Sequence, residues 1–125
     1  MSGSSDISVL IVDDEAANLE SLERIFAREG MRTFTAPSAP RAVELCRQHR
    51  MHVVLTDLMM PGMDGISLIK ALATVAPDAE VVVMTALYTN MKYKSEGFRV
   101  FKVDDYLAKP LAFDDLRGVL QKHLG

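Results

Sequence analysis

Residues 53–65 read Val53-Val54-Leu55-Thr56-Asp57-Leu58-Met59-Met60-Pro61-Gly62-Met63-Asp64-Gly65, and their order decides the architecture. Val53, Val54 and Leu55 form an apolar, β-branched run with no alternating polar residue, the pattern of a strand buried on both faces. The run halts on Thr56 and Asp57. Pro61, Gly62 and Gly65 then mark a loop, and Ile66, Ile69, Ala73 and Ala76 recur at helical spacing until Pro77 ends the helix. A buried strand, a loop that opens on a carboxylate and a covering helix make one unit of a parallel α/β sheet.

The same unit recurs on both sides of this stretch. Upstream, Ile7 to Val12 is a nearly continuous apolar strand followed by Asp13 and Asp14. Ala16, Leu19, Leu22, Ile25 and Phe26 then lie at helical spacing, with Glu29 and Gly30 as the stop. Arg32 to Ala36 is a shorter, more polar strand, and the helix after it places Ala39, Ala42, Val43 and Cys46 on one face. Downstream, Val81 to Met84 is a fourth buried strand ending at Thr85. A short fifth strand, Tyr106 to Ala108, precedes Lys109 and Pro110, and a last helix carries Phe113, Leu116 and Leu120. Five strands alternating with helices predict an α/β fold, a doubly wound five-stranded parallel sheet with helices on both faces, the polar second strand at an edge. Residues 1–6 read as a flexible leader and residues 7–125 as one domain.

Composition narrows the function classes. A chain of 125 residues that is 49% apolar buries a core without disulfides, and the single cysteine, Cys46, has no internal partner. No signal peptide opens the chain and no apolar run approaches the roughly 20 residues that cross a bilayer, so a cytoplasmic location without membrane contact is expected. A net charge of −3 creates no field for nucleic acid, and direct nucleic-acid binding is not expected. Arg99 and Lys102, with Tyr93, Phe98 and Phe101, fit a mixed helix and loop equally well. Neither a P-loop nor a GxGxxG fingerprint is present.

The chemistry-bearing residues cluster at strand ends. In open parallel sheets, ligands bind beyond the carboxyl ends of the strands. Asp13 and Asp14 follow the first strand, Asp57 ends the third, Thr85 the fourth and Lys109 the fifth. Three carboxylates brought together repel one another unless a divalent cation or a lysine balances them. Magnesium suits such a site, because it binds through one or two carboxylates, several waters and a phosphate. Lys109 adds a compact positive charge and Thr85 a hydroxyl donor, a set of groups suited to phosphoryl transfer. Taken singly, each has a plainer reading: Asp13 and Asp14 as helix caps, Asp57 as a loop acid, Thr85 as a strand-end hydroxyl, Lys109 as a turn residue, Tyr106 as a half-buried aromatic. Met59, Met60 and Met63 read as loop packing and not as soft-metal ligands, since carboxylates call for a hard ion.

Taken jointly, Val12-Asp13-Asp14-Glu15, the Leu55 to Gly65 run, Thr85-Ala86 and Tyr106-Leu107-Ala108-Lys109-Pro110 resemble response-regulator receivers, over nearly the whole chain. The resemblance implies the flavodoxin-like strand order 2-1-3-4-5. It implies a self-modifying signalling switch of a two-component system, in which Asp57 takes a phosphoryl group from a phosphohistidine on a histidine kinase or phosphotransfer protein. Asp14 would be the principal magnesium ligand, joined by Asp57, the backbone carbonyl of Met59, and Asp13, often through water. Lys109 would contact Asp57 and then the phosphoryl group, Thr85 would move to bond it, and Tyr106 would be the aromatic switch that turns inward. Pro110 would follow a cis peptide. Output would leave through the fourth helix, fifth strand and fifth helix to a downstream protein or to an output domain absent from this sequence, with homodimerisation left open.

The chain departs from the family between Tyr88 and Val103. That segment is slightly long, Lys102 and Val103 replace a pair of small residues, and Gly97 interrupts the helical pattern, so an atypical fourth helix is expected. Met59 and Leu87 flank the site with apolar side chains that cannot orient a water, so slow loss of phosphate is expected. Two alternatives remain at this stage: a pseudo-receiver that works through protein contacts alone, and a hydrolase with Asp57 as nucleophile. Phosphatases of the haloacid dehalogenase type would carry a second aspartate where this chain has Met59.

Overall fold

A computed structural model describes residues 7–57, 59–60, 63–85, 105–108 and 118, the side chains of 59, 60, 63–66, 85 and 105–108 excepted. The elements are β1 (Ser8–Val12), α1 (Ala16–Arg28), β2 (Arg32–Ala36), α2 (Ala39–Gln48), β3 (Val53–Asp57), β4 (Met59–Met60), β5 (Met63–Asp64), α3 (Gly65–Val75), β6 (Glu80–Thr85) and β7 (Asp105–Ala108). Five strands pair in parallel in the order β2-β1-β3-β6-β7, which is 2-1-3-4-5 once the small β4-β5 hairpin is set aside. The polar strand β2 lies at an edge, as its sequence predicts.

Because strand side chains alternate between faces, the apolar runs supply two cores at once. Val9 and Ile11 of β1, Val53 and Leu55 of β3, and Val82 and Met84 of β6 pack with Leu19, Leu22 and Phe26 of α1. Their neighbours Leu10, Val12, Val54, Val81 and Val83 pack on the other face, with Ala42, Leu45 and Cys46 of α2 and Leu68, Ile69 and Leu72 of α3. Each large side chain so enclosed contributes roughly 1.5–3 kcal/mol.

Two expected helix faces need correction. In α3 the buried stripe is Leu68, Ile69 and Leu72, whereas Ala73 is exposed and Ala76 lies past the helix end, only partly buried. The spacing of Ile66, Ile69, Ala73 and Ala76 is consistent with more than one face, and the bulkier leucines decide which one turns inward. In α1, Ala16 is exposed for the same reason. Between β3 and α3, β4 and β5 pair antiparallel, Met59 opposite Asp64 and Met60 opposite Met63.

The stop after α1 is as expected, and its mechanism is visible. Gly30 adopts φ 81°, its N–H donates to the Ala27 carbonyl at 3.0 Å, and the Met31 N–H donates to Phe26 at 3.2 Å. This pair of bonds is a Schellman cap, which requires the left-handed conformation that glycine adopts without penalty. At the amino end of the sheet, the His52 N–H donates to the Ser8 carbonyl at 2.8 Å and the Glu80 N–H to the His52 carbonyl at 2.9 Å. The Ser8 N–H donates back to His52 Nδ1 at 3.0 Å. No helix of the described residues is long and apolar enough to cross a membrane. The leader at 1–6, the fourth helix expected within 88–103, Pro110 and the helix of Phe113, Leu116 and Leu120 lie outside the described residues.

Candidate functional site

The carboxyl edge of the sheet gathers the acids that the sequence places at strand ends. Strand β1 delivers Asp13 and Asp14 just past Val12, and β3 ends on Asp57, which pairs with Met84 of the neighbouring strand. One carboxylate oxygen from each of Asp13, Asp14 and Asp57 lies within 4.8 Å of the others. Asp13 is fully buried and Asp57 is 5% exposed, while Asp14 faces solvent. Burying a carboxylate is costly unless hydrogen bonds or a positive charge compensate it. For Asp13 the compensation is explicit: the Glu15 N–H donates to Oδ1 at 2.9 Å and the Asn18 amide donates to Oδ2 at 3.2 Å. Its own N–H donates to the Ala36 carbonyl at 3.2 Å, tying the loop to β2.

Asp13 and Asp14 are not helix caps in the usual sense. The N-cap of α1 is Glu15, whose side chain makes no capping bond. Asp14 points into the cluster and Asp13 is held beneath it. Beside them, the Thr56 hydroxyl donates to the Asp57 carbonyl at 3.1 Å, holding the backbone where β3 ends.

The other expected site residues are placed by register. Thr85 ends β6 and pairs with Ala108, the last residue of β7. Tyr106 pairs with Val83 two residues further in, and Met59 opens β4 two residues after Asp57. Lys109 itself and the side chains of Thr85, Tyr106 and Met59 lie outside the described residues. A cleft of about 280 Å³ lined by His49, Met51, Val75 and Ala79 sits at the opposite end of α2 and α3 and contains none of these groups.

As a donor set, three oxygen-only side chains converging from two strands fit a hard divalent cation and not a soft one. Asn18 was not anticipated as part of this site. Its only signal in the sequence is a weak helix former in the first turn, where its side chain competes with the backbone unless it bonds elsewhere.

The family model described as "Response regulator receiver domain" matches residues 9–121. Sporulation initiation phosphotransferase F of Bacillus subtilis is 32% identical over 93% of this chain and 92% of its own length. The transcriptional regulatory protein ZraR of Escherichia coli is 34% identical over 95% of this chain but only 26% of its own length. The chain thus spans nearly all of one curated relative and about a quarter of another. Among solved structures, a chemotaxis protein, CheY4, of Vibrio cholerae superposes with TM-score 0.86 at 26% identity, covering 94% of this chain and 98% of that one. The response regulator TrrA of Thermotoga maritima, crystallised in complex with Mg(2+)-BeF, superposes with TM-score 0.81 at 26% identity, covering 94% and 99%.

Proposed function

Because the chain belongs to the response regulator receiver family, we propose that Asp57 is the aspartate onto which the phosphoryl group of a phosphohistidine is transferred. The chain is a receiver domain homologous to phosphorylation-dependent response regulators, and receiver domains interact with histidine kinases or phosphotransfer proteins. The observation that carries the assignment is the carboxylate trio at the sheet edge, in which Asp57 is the member that ends the central strand β3.

In the transfer, a carboxylate oxygen of Asp57 attacks phosphorus. The P–N bond breaks and its electron pair stays on the imidazole nitrogen, which takes up a proton. Little else is asked of the protein than in-line positioning and charge stabilisation. Asp14, Asp13 and Asp57, with the backbone carbonyl of Met59, would hold Mg2+, in keeping with the Mg(2+)-BeF complex of the Thermotoga maritima relative. When bound, the ion supplies positive charge that offsets the carboxylates and the incoming phosphoryl oxygens. Lys109, the next residue in the sequence after β7, serves as the second positive charge. Thr85 then bonds a phosphoryl oxygen and Tyr106 turns inward, biasing the surface after β6 toward its active arrangement. The apolar Met59 and Leu87 leave the acyl phosphate without a side chain to orient an attacking water, so it persists beyond seconds. Residues 1–6 act as a leader to a single domain of residues 7–125, and output passes to a downstream protein or a further domain.

A phosphorylation-independent interaction module would have no use for the trio, and no feature among the described residues favours one. The test is mass spectrometry after incubation with acetyl phosphate and Mg2+, on the native chain and on Asp57→Asn. The expected result is a magnesium-dependent phosphoryl adduct in the first and none in the second. Absence of any adduct in the native chain, or an adduct that survives Asp57→Asn, overturns the assignment.

A further inference from the structure

We infer that Asn18 is a positioning residue for the cation site, holding Asp13 at the orientation from which the trio binds a divalent ion. The inference rests on the reading of Asp13, Asp14 and Asp57 as a cation site and adds a residue outside that trio.

The first observation is the bond itself. Asn18 is the third residue of α1, and its amide donates to Asp13 Oδ2 at 3.2 Å while the Glu15 N–H donates to Oδ1 at 2.9 Å. Two N–H groups on opposite oxygens fix the rotation of a fully buried carboxylate. A carboxylate oxygen offers two lone pairs, so a single N–H on each aims the group without by itself exhausting it. Without the amide, Oδ2 loses this donor, and the orientation of the carboxylate toward Asp14 and Asp57, which it repels, is less firmly set.

The second observation is what α1 omits. Acids in the first helical turn stabilise a helix through its dipole, yet the first turn of α1 contains none. An acid at position 18 would be a fourth negative charge beside the trio and could not donate to Asp13. A neutral amide supplies a donor without adding charge. In metal sites generally, groups that orient a ligand by hydrogen bonding change metal affinity about 10–100-fold when removed.

The test measures Mg2+ binding directly, by calorimetric titration of the unphosphorylated chain, for the native protein, Asn18→Ala and Leu22→Ala. Alanine is the better helix former, so Asn18→Ala retains α1. Leu22 is buried in the core under α1 one turn past Asn18, and Leu22→Ala serves as the variant that loosens the helix without removing a hydrogen-bond donor to Asp13. The expected result is a dissociation constant for Mg2+ raised about tenfold or more by Asn18→Ala and unchanged by Leu22→Ala. Leu22→Ala should nonetheless lower the melting temperature of the metal-free protein further than Asn18→Ala does. Native binding with a dissociation constant that Asn18→Ala leaves within twofold overturns the role of Asn18 alone. A dissociation constant raised equally by both variants also overturns it, since the effect would then belong to helix stability. Failure of the native chain to bind Mg2+ overturns the cation site and this inference with it.

Discussion

Asp13 and Asp14 are adjacent acids whose surroundings separate their roles. Asp13 is buried and restrained by two N–H donors, whereas Asp14 reaches solvent within 4.8 Å of both other carboxylates. Asp14 therefore adds repulsion to the metal-free protein and attraction to a cation. In metal-free buffer of low ionic strength, Asp14→Asn should raise the melting temperature by roughly 2 °C. Salt at about 1 M should erase that gain, because screening there acts over about 3 Å. With Mg2+ at tenfold its dissociation constant, the native chain should gain about 1.4 kcal/mol that the variant largely lacks, so the order of stabilities inverts. Thermal melts with and without Mg2+ check both halves, and a variant already less stable without metal would contradict the repulsion. Cys46 makes a second case at this scale. Burial pushes its thiol from 9.0 up to about 11. A raised folded-state value means the contribution to stability is complete below pH about 9 and is lost as pH rises toward about 11. Denaturant titrations across that window should show a decline in the native chain that Cys46→Ala reduces, alongside slow alkylation of the folded thiol at pH 8.

Among the elements, one chemical change should have opposite signs at two glycines. Gly30 closes α1 at φ 81°, so Gly30→Ala forces a side chain into the left-handed region and should cost about 1–2 kcal/mol. Gly118 is helical, and a Cβ there meets nothing within 4 Å. Gly118→Ala should stabilise by up to about 1 kcal/mol. Urea midpoints of the two variants test the pair, and equal signs would mean that one backbone assignment is wrong. The elements differ in how far the sequence discloses them. Val9 to Val12, Val53 to Leu55 and Val81 to Met84 announce themselves because a strand buried on both faces tolerates no polar residue along its length. The face of α3 is harder to read, since Ile66, Leu68, Ile69, Leu72 and Ala73 offer competing stripes and side-chain volume, not spacing, decides among them. The β4-β5 hairpin has no readable period, because two-residue strands are too short to have one. The acids of the site are legible from their positions at strand ends. Asn18 is not, because its contribution is a hydrogen bond back across five residues to an acid in the loop before its helix.

For the molecule as a whole, the central sheet shares its strands between two cores, which raises the question of whether the cores report on each other. Ile11 of β1 lies in the core under α1, and Ile69 of α3 in the core on the far face. Both are all but fully buried, at 0% and 1% exposure. Removing one methylene-sized group from each, as Ile11→Val and Ile69→Val, should cost about 0.5–1.5 kcal/mol per site. The side chains sit in separate clusters with the sheet between them, so the double variant should lose the sum of the single losses to within about 0.5 kcal/mol. The sheet is nevertheless common to both cores, and β1, β3 and β6 cannot detach from one face while remaining ordered on the other. Unfolding should therefore stay a single transition in every variant, with an unchanged denaturant slope. A coupling energy well above 0.5 kcal/mol would mean that strain crosses the sheet through β1. Two separate transitions would mean that the faces unfold independently. An additive pair within one transition is what a parallel sheet with independently packed faces requires. It also leaves the carboxyl edge, where Asp13, Asp14 and Asp57 meet, carried on strands anchored from both sides.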